Sequence, residues 1–239
     1  MKLRYIFITF IIGVLIFLAT FRRVQEFNYI AIGDEDKFWK VQSIDTMKYS
    51  RDLSREKLKD KSFDSIIDDT MKKISATGAT HVSIGTPYDK EFLPILKRWV
   101  DSARRNNLKV WFRGNWSGWE GWFDYSKIGR DEHNALTKNF ILNNSNLFKD
   151  GDIFTACPEC ENGGPGDPRH NGDLYGHRVF LIKEYQTTKS AFEKIGKKVR
   201  SNFNSMNGDV VALVMNKATT EALDGIVAVD HYVATPDKL

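Results

Sequence analysis

From about Phe38 onward the sequence alternates between two kinds of apolar run, and this alternation limits the possible folds more than any other feature. Six short runs read as strands: residues 40–50, 80–88, 108–116, 151–159, 209–216 and 225–233. Between them, residues 62–78, 91–107, 130–148 and 176–201 carry apolar side chains at helical spacing, and 219–223 adds one helical turn. In the first helix Phe63, Ile66, Ile67, Met71 and Ile74 make the stripe, and Gly78 stops it. A helix between successive strands requires a crossover connection, so the strands are expected to run parallel.

The expected class is therefore α/β, of the (β/α)8-barrel type but incomplete, with about six βα units. No Gly-x-Gly-x-x-Gly follows the first strand and no Gly-Lys-Ser/Thr phosphate loop occurs, which argues against a nucleotide fold. Long polar loops follow the strand ends at 87–91, 114–125 and 161–175. In such barrels the functional loops lie at the C-terminal ends of the strands.

The N-terminus is set apart from this pattern. Tyr5 to Phe21 contains no charged residue, with Lys2 and Arg4 before it and Arg22 and Arg23 after it. As a helix it would span about 26 Å, slightly less than a hydrocarbon core of roughly 30 Å. Residues 1–23 are expected to be a signal peptide or a membrane anchor, with 24–37 as a linker and 38–239 as the barrel-type domain. The domain would then lie outside the cytoplasm, membrane-anchored or secreted. The net charge is only +4. Those four flanking basic residues account for it, so a dedicated nucleic-acid surface is not expected.

Two loops carry the candidate chemistry. After the third strand comes WFRGNWSGWEGWFDY, with Trp116, Trp119 and Trp122 three residues apart. Aromatic platforms suit the apolar faces of sugar rings, and Arg113 and Asn115 share a strand parity that would aim them at a barrel mouth. The alternative is that these tryptophans only cover the top of the fold. After the fourth strand comes ACPECENGG. Strand parity would put Glu159 and Glu161 on one face with Cys157 beneath them. A partly desolvated glutamate there can serve as a general acid/base. Asp230, His231 and Tyr232 close the sixth strand, and Asp45, Lys48 and Asn216 are weaker rim candidates.

Cys157 and Cys160 admit other readings. With His170 and His177 they form a loose Cys2His2 set, too irregular for an ordinary zinc motif. A redox Cys-x-x-Cys normally opens a helix, whereas glycines and prolines follow here. No cofactor and no metal is expected.

This layout resembles the retaining glycoside hydrolases with a (β/α)8 barrel, the large clan of cellulases, mannanases and β-galactosidases. The resemblance covers roughly residues 40–233 and rests on Glu159 ending the fourth strand, where the clan keeps its acid/base, and on DHY at the end of the sixth. The clan's Asn-Glu-Pro signature is absent. Pro158 stands where the asparagine would be, which leaves both Glu159 and Glu161 open as the acid/base.

What the resemblance implies is a hydrolase acting on a poly- or oligosaccharide, with its nucleophile on a seventh strand. The chain ends at Leu239, after its sixth strand. The expectation is thus a fragment of a longer enzyme, inactive alone. The alternatives are a non-catalytic carbohydrate-binding barrel using Trp116, Trp119 and Trp122, and a metal-dependent hydrolase using Cys157 and Cys160.

Overall fold

Parallel strands buried on both faces belong at the centre of a sheet, and one segment of this chain meets that description. The computed structural model describes residues 40–46 and 51–231. The N-terminal apolar segment, its linker, Lys48 and Tyr232 lie outside the described residues. The chain divides after Gln42, and Ser43 onward forms one unit. In it β1 (Ser43–Asp45), β2 (His81–Ile84), β3 (Lys109–Phe112) and β4 (Ile153–Phe154) pair in sequence order, all parallel. All four residues of β2 are buried. Ser43 lies opposite His81, His81 opposite Lys109, and Trp111 opposite Ile153.

A second, two-stranded parallel sheet is made by β5 (Ser205–Asn207) and β6 (Ala228–Asp230). The two sheets are linked just before β5. Phe154 N–H donates to the Arg200 carbonyl at 2.8 Å, and Arg200 N–H donates to that of Asp152 at 3.0 Å.

Helices make the crossovers: α1 (Phe63–Ala76), α2 (Leu93–Arg105), α3 (Arg130–Asn143), α4 (Leu174–Lys194), α5 (Gly208–Val214) and α6 (Lys217–Ala222). The α1 stripe is Phe63, Ile67, Met71 and Ile74, at spacings of four, four and three. Ile66 falls off the stripe and is exposed. In α2 the buried face is Ile95, Leu96, Trp99, Val100 and Ala103, with Pro94 tolerated in the first turn because that N–H has no helical partner. Among the described residues no helix is long and apolar enough to cross a membrane.

The two faces of the sheet differ in chemistry. Val82, Ile84, Val110, Phe112 and Phe154 join the helices in a core rich in aromatic rings. Phe154 alone packs against Tyr88, Phe148 and Phe192, at centroid distances of 5.1, 5.9 and 5.5 Å. The opposite face is polar. Just past β3, the Arg113 guanidinium reaches Asp45 at 2.9 Å, Ser205 at 3.1 Å and Asp230 at 3.1 Å. One side chain thus ties the ends of β1, β5 and β6 together across the two sheets. Among the described residues no strand pairing joins β6 to β1, and no closed barrel is seen.

Two expectations need correcting. Residues 209–216 do not form a strand: the helix α5 occupies Gly208–Val214, and the fifth strand lies upstream at Ser205–Asn207. The valines suggested β structure, yet Val210 and Val214 are buried four apart while Ala212 and Leu213 face solvent, which is a helical pattern. The fourth strand is regular only at Ile153–Phe154, so strand parity does not carry through to Glu161.

Candidate functional site

The C-terminal ends of β3 and β4 meet at a polar rim. Its first part is built by a close approach that only glycine permits. A Cβ at Gly114 would lie 2.1 Å from the Thr86 carbonyl oxygen. Gly114 N–H donates to the Tyr88 hydroxyl at 3.0 Å, and that hydroxyl donates to the Thr155 carbonyl at 2.7 Å. The chain then makes a single helical turn, Ser117–Glu120, whose first N–H is held by Asp89 at 2.9 Å.

That turn separates the three tryptophans. Trp116 is buried and donates from Nε1 to Thr137 at 3.1 Å. Trp119 is buried, stacked on Phe180 and edge-on to His133. Trp122 faces the rim, with the Arg51 guanidinium 3.3 Å from its ring centre. Arg51 also pairs with Glu120. The three therefore do not form one platform, because the turn sends successive indoles to different sides. Arg113, Asn115, Trp116 and Trp122 do line one cleft, together with Arg51 and Pro158. The cleft is narrow, with a cavity volume of about 10 Å³, and Arg51 stacked on Trp122 forms part of its wall.

The second part of the rim is Cys157–Glu161. Glu159 sits in the left-handed region, at φ 50° and ψ 55°. Such a conformation costs an L-residue about 1–2 kcal/mol, and it concentrates at functional positions. Ser205 fixes the backbone by accepting from Glu159 N–H at 2.9 Å, and Asn162 donates to the carboxylate at 2.6 Å.

Glu161, expected beside Glu159, is turned inward and is almost fully buried. Its Oε1 accepts from the backbone and side-chain amides of Asn207, at 2.8 and 3.0 Å, and among the described residues its Oε2 has no donor. Burial raises the Glu161 pKa against the opposing Asn207 bonds, and the charge of Glu159 adds to the rise. Burial likewise raises Glu120, Arg51 opposes it, and Glu159 again adds. Three carboxylates therefore share the rim, with Glu159 acting on both others. Asp230 pairs with Arg113, while His231 is exposed at the end of the described residues.

Behind the rim, on the helix side, lies a group that sequence reasoning missed. The ligating atoms of His133, Cys157 and Glu184 all lie within 4.8 Å of one another, and all three residues are buried. His133 comes from α3 and Glu184 from α4, two helices packed side by side. Cys157 is disulfide-bonded to Cys160, with a Cα separation of 5.2 Å. Neither His170 nor His177, the histidines suggested by the spacing, belongs to this group. His177 is buried near the start of α4, and burial lowers its pKa to about 4. A signal for Glu184 was present in the sequence. It interrupts the apolar stripe of α4, between Leu181 and Thr188.

A wider groove, also lined by Trp116, lies between the start of α2 and α3. It measures about 870 Å³ and is lined by Asp89, Tyr125, Glu132, Leu136 and Asn139 among others. Comparison with protein-family models, curated proteins and solved structures returned no match for this chain.

Proposed function

We propose that the protein is an exported, carbohydrate-active (β/α)-barrel protein of the glycoside-hydrolase type, with Glu159 as the acid/base. The observation that carries this reading is the left-handed Glu159, in the turn that follows β4, near enough to Glu120 and Glu161 for its charge to add to the rise in their pKa values. Side chains at the C-terminal end of parallel strands are where barrel enzymes do their chemistry. The contacts of Arg113 with Asp45 and Asp230, which join the two parallel sheets, are compatible with a barrel-like arrangement.

In this reading Trp122 stacks on a sugar ring, and Arg113 and Asn115 donate hydrogen bonds to its hydroxyls. Glu159 protonates the glycosidic oxygen. Retention needs a second carboxylate about 5–5.5 Å away across the scissile bond, which is the nucleophile's part. A ligand entering the cleft displaces Arg51 from the Trp122 face.

A second reading, a carbohydrate-binding protein without turnover, rests on one observation: Arg113, Asn115 and Trp122 line one cleft, and that arrangement serves binding whether or not Glu159 acts. Incubating the natural full-length protein with a panel of oligosaccharides separates the two. Release of new reducing ends that Glu159→Gln abolishes, with binding retained, supports the hydrolase. Saturable binding without release supports the second reading. Absence of both overturns the carbohydrate assignment.

A further inference from the structure

The hydrogen bonds around His133 decide which of its nitrogens carries a proton. Asn115 Oδ1 accepts from Trp116 N–H at 2.8 Å, which identifies that atom as the amide oxygen. His133 Nε2 lies 3.1 Å from the same oxygen and must therefore donate to it. In the neutral imidazole, Nδ1 is then a bare lone pair. It faces Glu184 Oε1 at 3.0 Å.

Both Glu184 oxygens are buried, and among the described residues no N–H or O–H group donates to them. A lone pair and a carboxylate thus point at each other in a site closed to water, with the Cys157 sulfur alongside. Two acceptors so placed require a proton or a metal cation between them.

The donor set selects the cation. One imidazole nitrogen, one carboxylate oxygen and a cysteine sulfur suit zinc, and do not suit calcium or magnesium, which take oxygen. Cys160, bonded to Cys157 in the disulfide, is not one of the three residues grouped within 4.8 Å, but its thiol is the adjacent second sulfur once the pair is reduced.

We propose that the dithiol form of this protein binds one zinc ion through His133 Nδ1, Glu184 and the thiolates of Cys157 and Cys160. All four residues are buried, so no coordination position is open to substrate. The site is closed and structural, fastening α3 and α4 to the end of β4. In the disulfide form the sulfurs are withdrawn, and His133 and Glu184 are left to share a proton. The proposal does not depend on the carbohydrate reading, since the ion lies on the helix side of the rim.

The test uses the full-length wild-type protein, kept under anaerobic conditions. A phosphine cleaves the disulfide to two thiols and leaves as phosphine oxide, its oxygen drawn from water. One equivalent of zinc sulfate is added, the protein is desalted and its metal content counted. The expected result is one zinc per chain, with an X-ray absorption shell of two sulfurs at about 2.3 Å and two nitrogen or oxygen atoms at about 2.0–2.1 Å. Cys160→Ser and Glu184→Gln should each weaken retention at least tenfold in competition with a chelator. A reduced, folded wild-type chain that retains no zinc overturns the proposal, and so does bound zinc without sulfur in its shell. The wild-type spectrum stands alone if a variant fails to fold.

Discussion

The rim and the cluster behind it use similar residues in opposite ways. At the rim Glu120 and Glu159 are within reach of water, and Arg51, Arg113 and Asn162 supply donors to that surface. Behind it, Glu184 and His133 are fully buried, facing each other, a cysteine sulfur and Asn115, with Trp119 and Phe180 packed against the imidazole. Solvated carboxylates that can exchange partners are available for chemistry. A dry one is committed to the cation or proton that neutralises it, and its loss is felt as stability. Rim substitutions should therefore alter ligand handling, and cluster substitutions should alter folding.

The largest effect should come from His133→Ala. It leaves the Glu184 carboxylate buried without its partner and removes packing against Trp119 and Phe180. Breaking one side of a buried pair costs about 3–5 kcal/mol, read as a lower denaturant midpoint in urea unfolding. The double variant His133→Leu/Glu184→Met sharpens the contrast, because apolar replacement of both partners should recover most of that loss. A double variant no better than the single one would break the comparison.

Next is Glu159→Gln. Losing a general acid lowers turnover on a hydrolysed oligosaccharide about 10²–10⁴-fold. Its stability should stay within about 0.5 kcal/mol of wild type, as for most surface changes. Glu159→Gly should go further, stabilising the fold by up to about 1 kcal/mol through relief of the left-handed backbone while still abolishing turnover. Equal loss of stability at Glu159 and at His133 would erase the distinction between the regions.

His177 predicts a pH effect of intermediate size. Its folded pKa, about 4, lies below the ordinary value of 6.5 because burial disfavours the imidazolium. Between those values the unfolded chain binds the proton and the folded chain does not, so stability falls as pH drops from 6.5 toward 4. The full loss is on the order of 3 kcal/mol. Urea midpoints measured across that range should fall more steeply for wild type than for His177→Gln.

The smallest expected effect is at Trp122. Removing one stacking ring in Trp122→Ala should weaken oligosaccharide binding by a few-fold to about tenfold, measured by titration calorimetry, with the fold intact.

The sequence and the structure agree best where one signal dominated. The α1 stripe, the buried strand at His81–Ile84 and the parallel order of the first four strands were all legible, because apolar periodicity and crossover logic pointed the same way. Residues 209–216 misled because β-branched side chains competed with an i, i+4 pattern over only seven residues. Parity failed beyond Phe154 because the strand ends there and residues 156–159 turn, so that Glu161 points inward while Glu159 remains at the rim. The tryptophan spacing was legible as a motif, but a four-residue helix decided where each indole went. The pairing of His133 with Glu184 depends on contact between two helices far apart in sequence, and no local pattern carries that.

The most direct test of the central claim is to locate a bound oligosaccharide on Glu159→Gln, which holds an unreacted substrate, by crystallography or by NMR shift mapping. The expected result is a sugar ring on Trp122 with Arg51 displaced, and a glycosidic oxygen within hydrogen-bond reach of residue 159. A sugar seated instead in the groove between Asp89 and Asn139, with the rim unchanged, would contradict it.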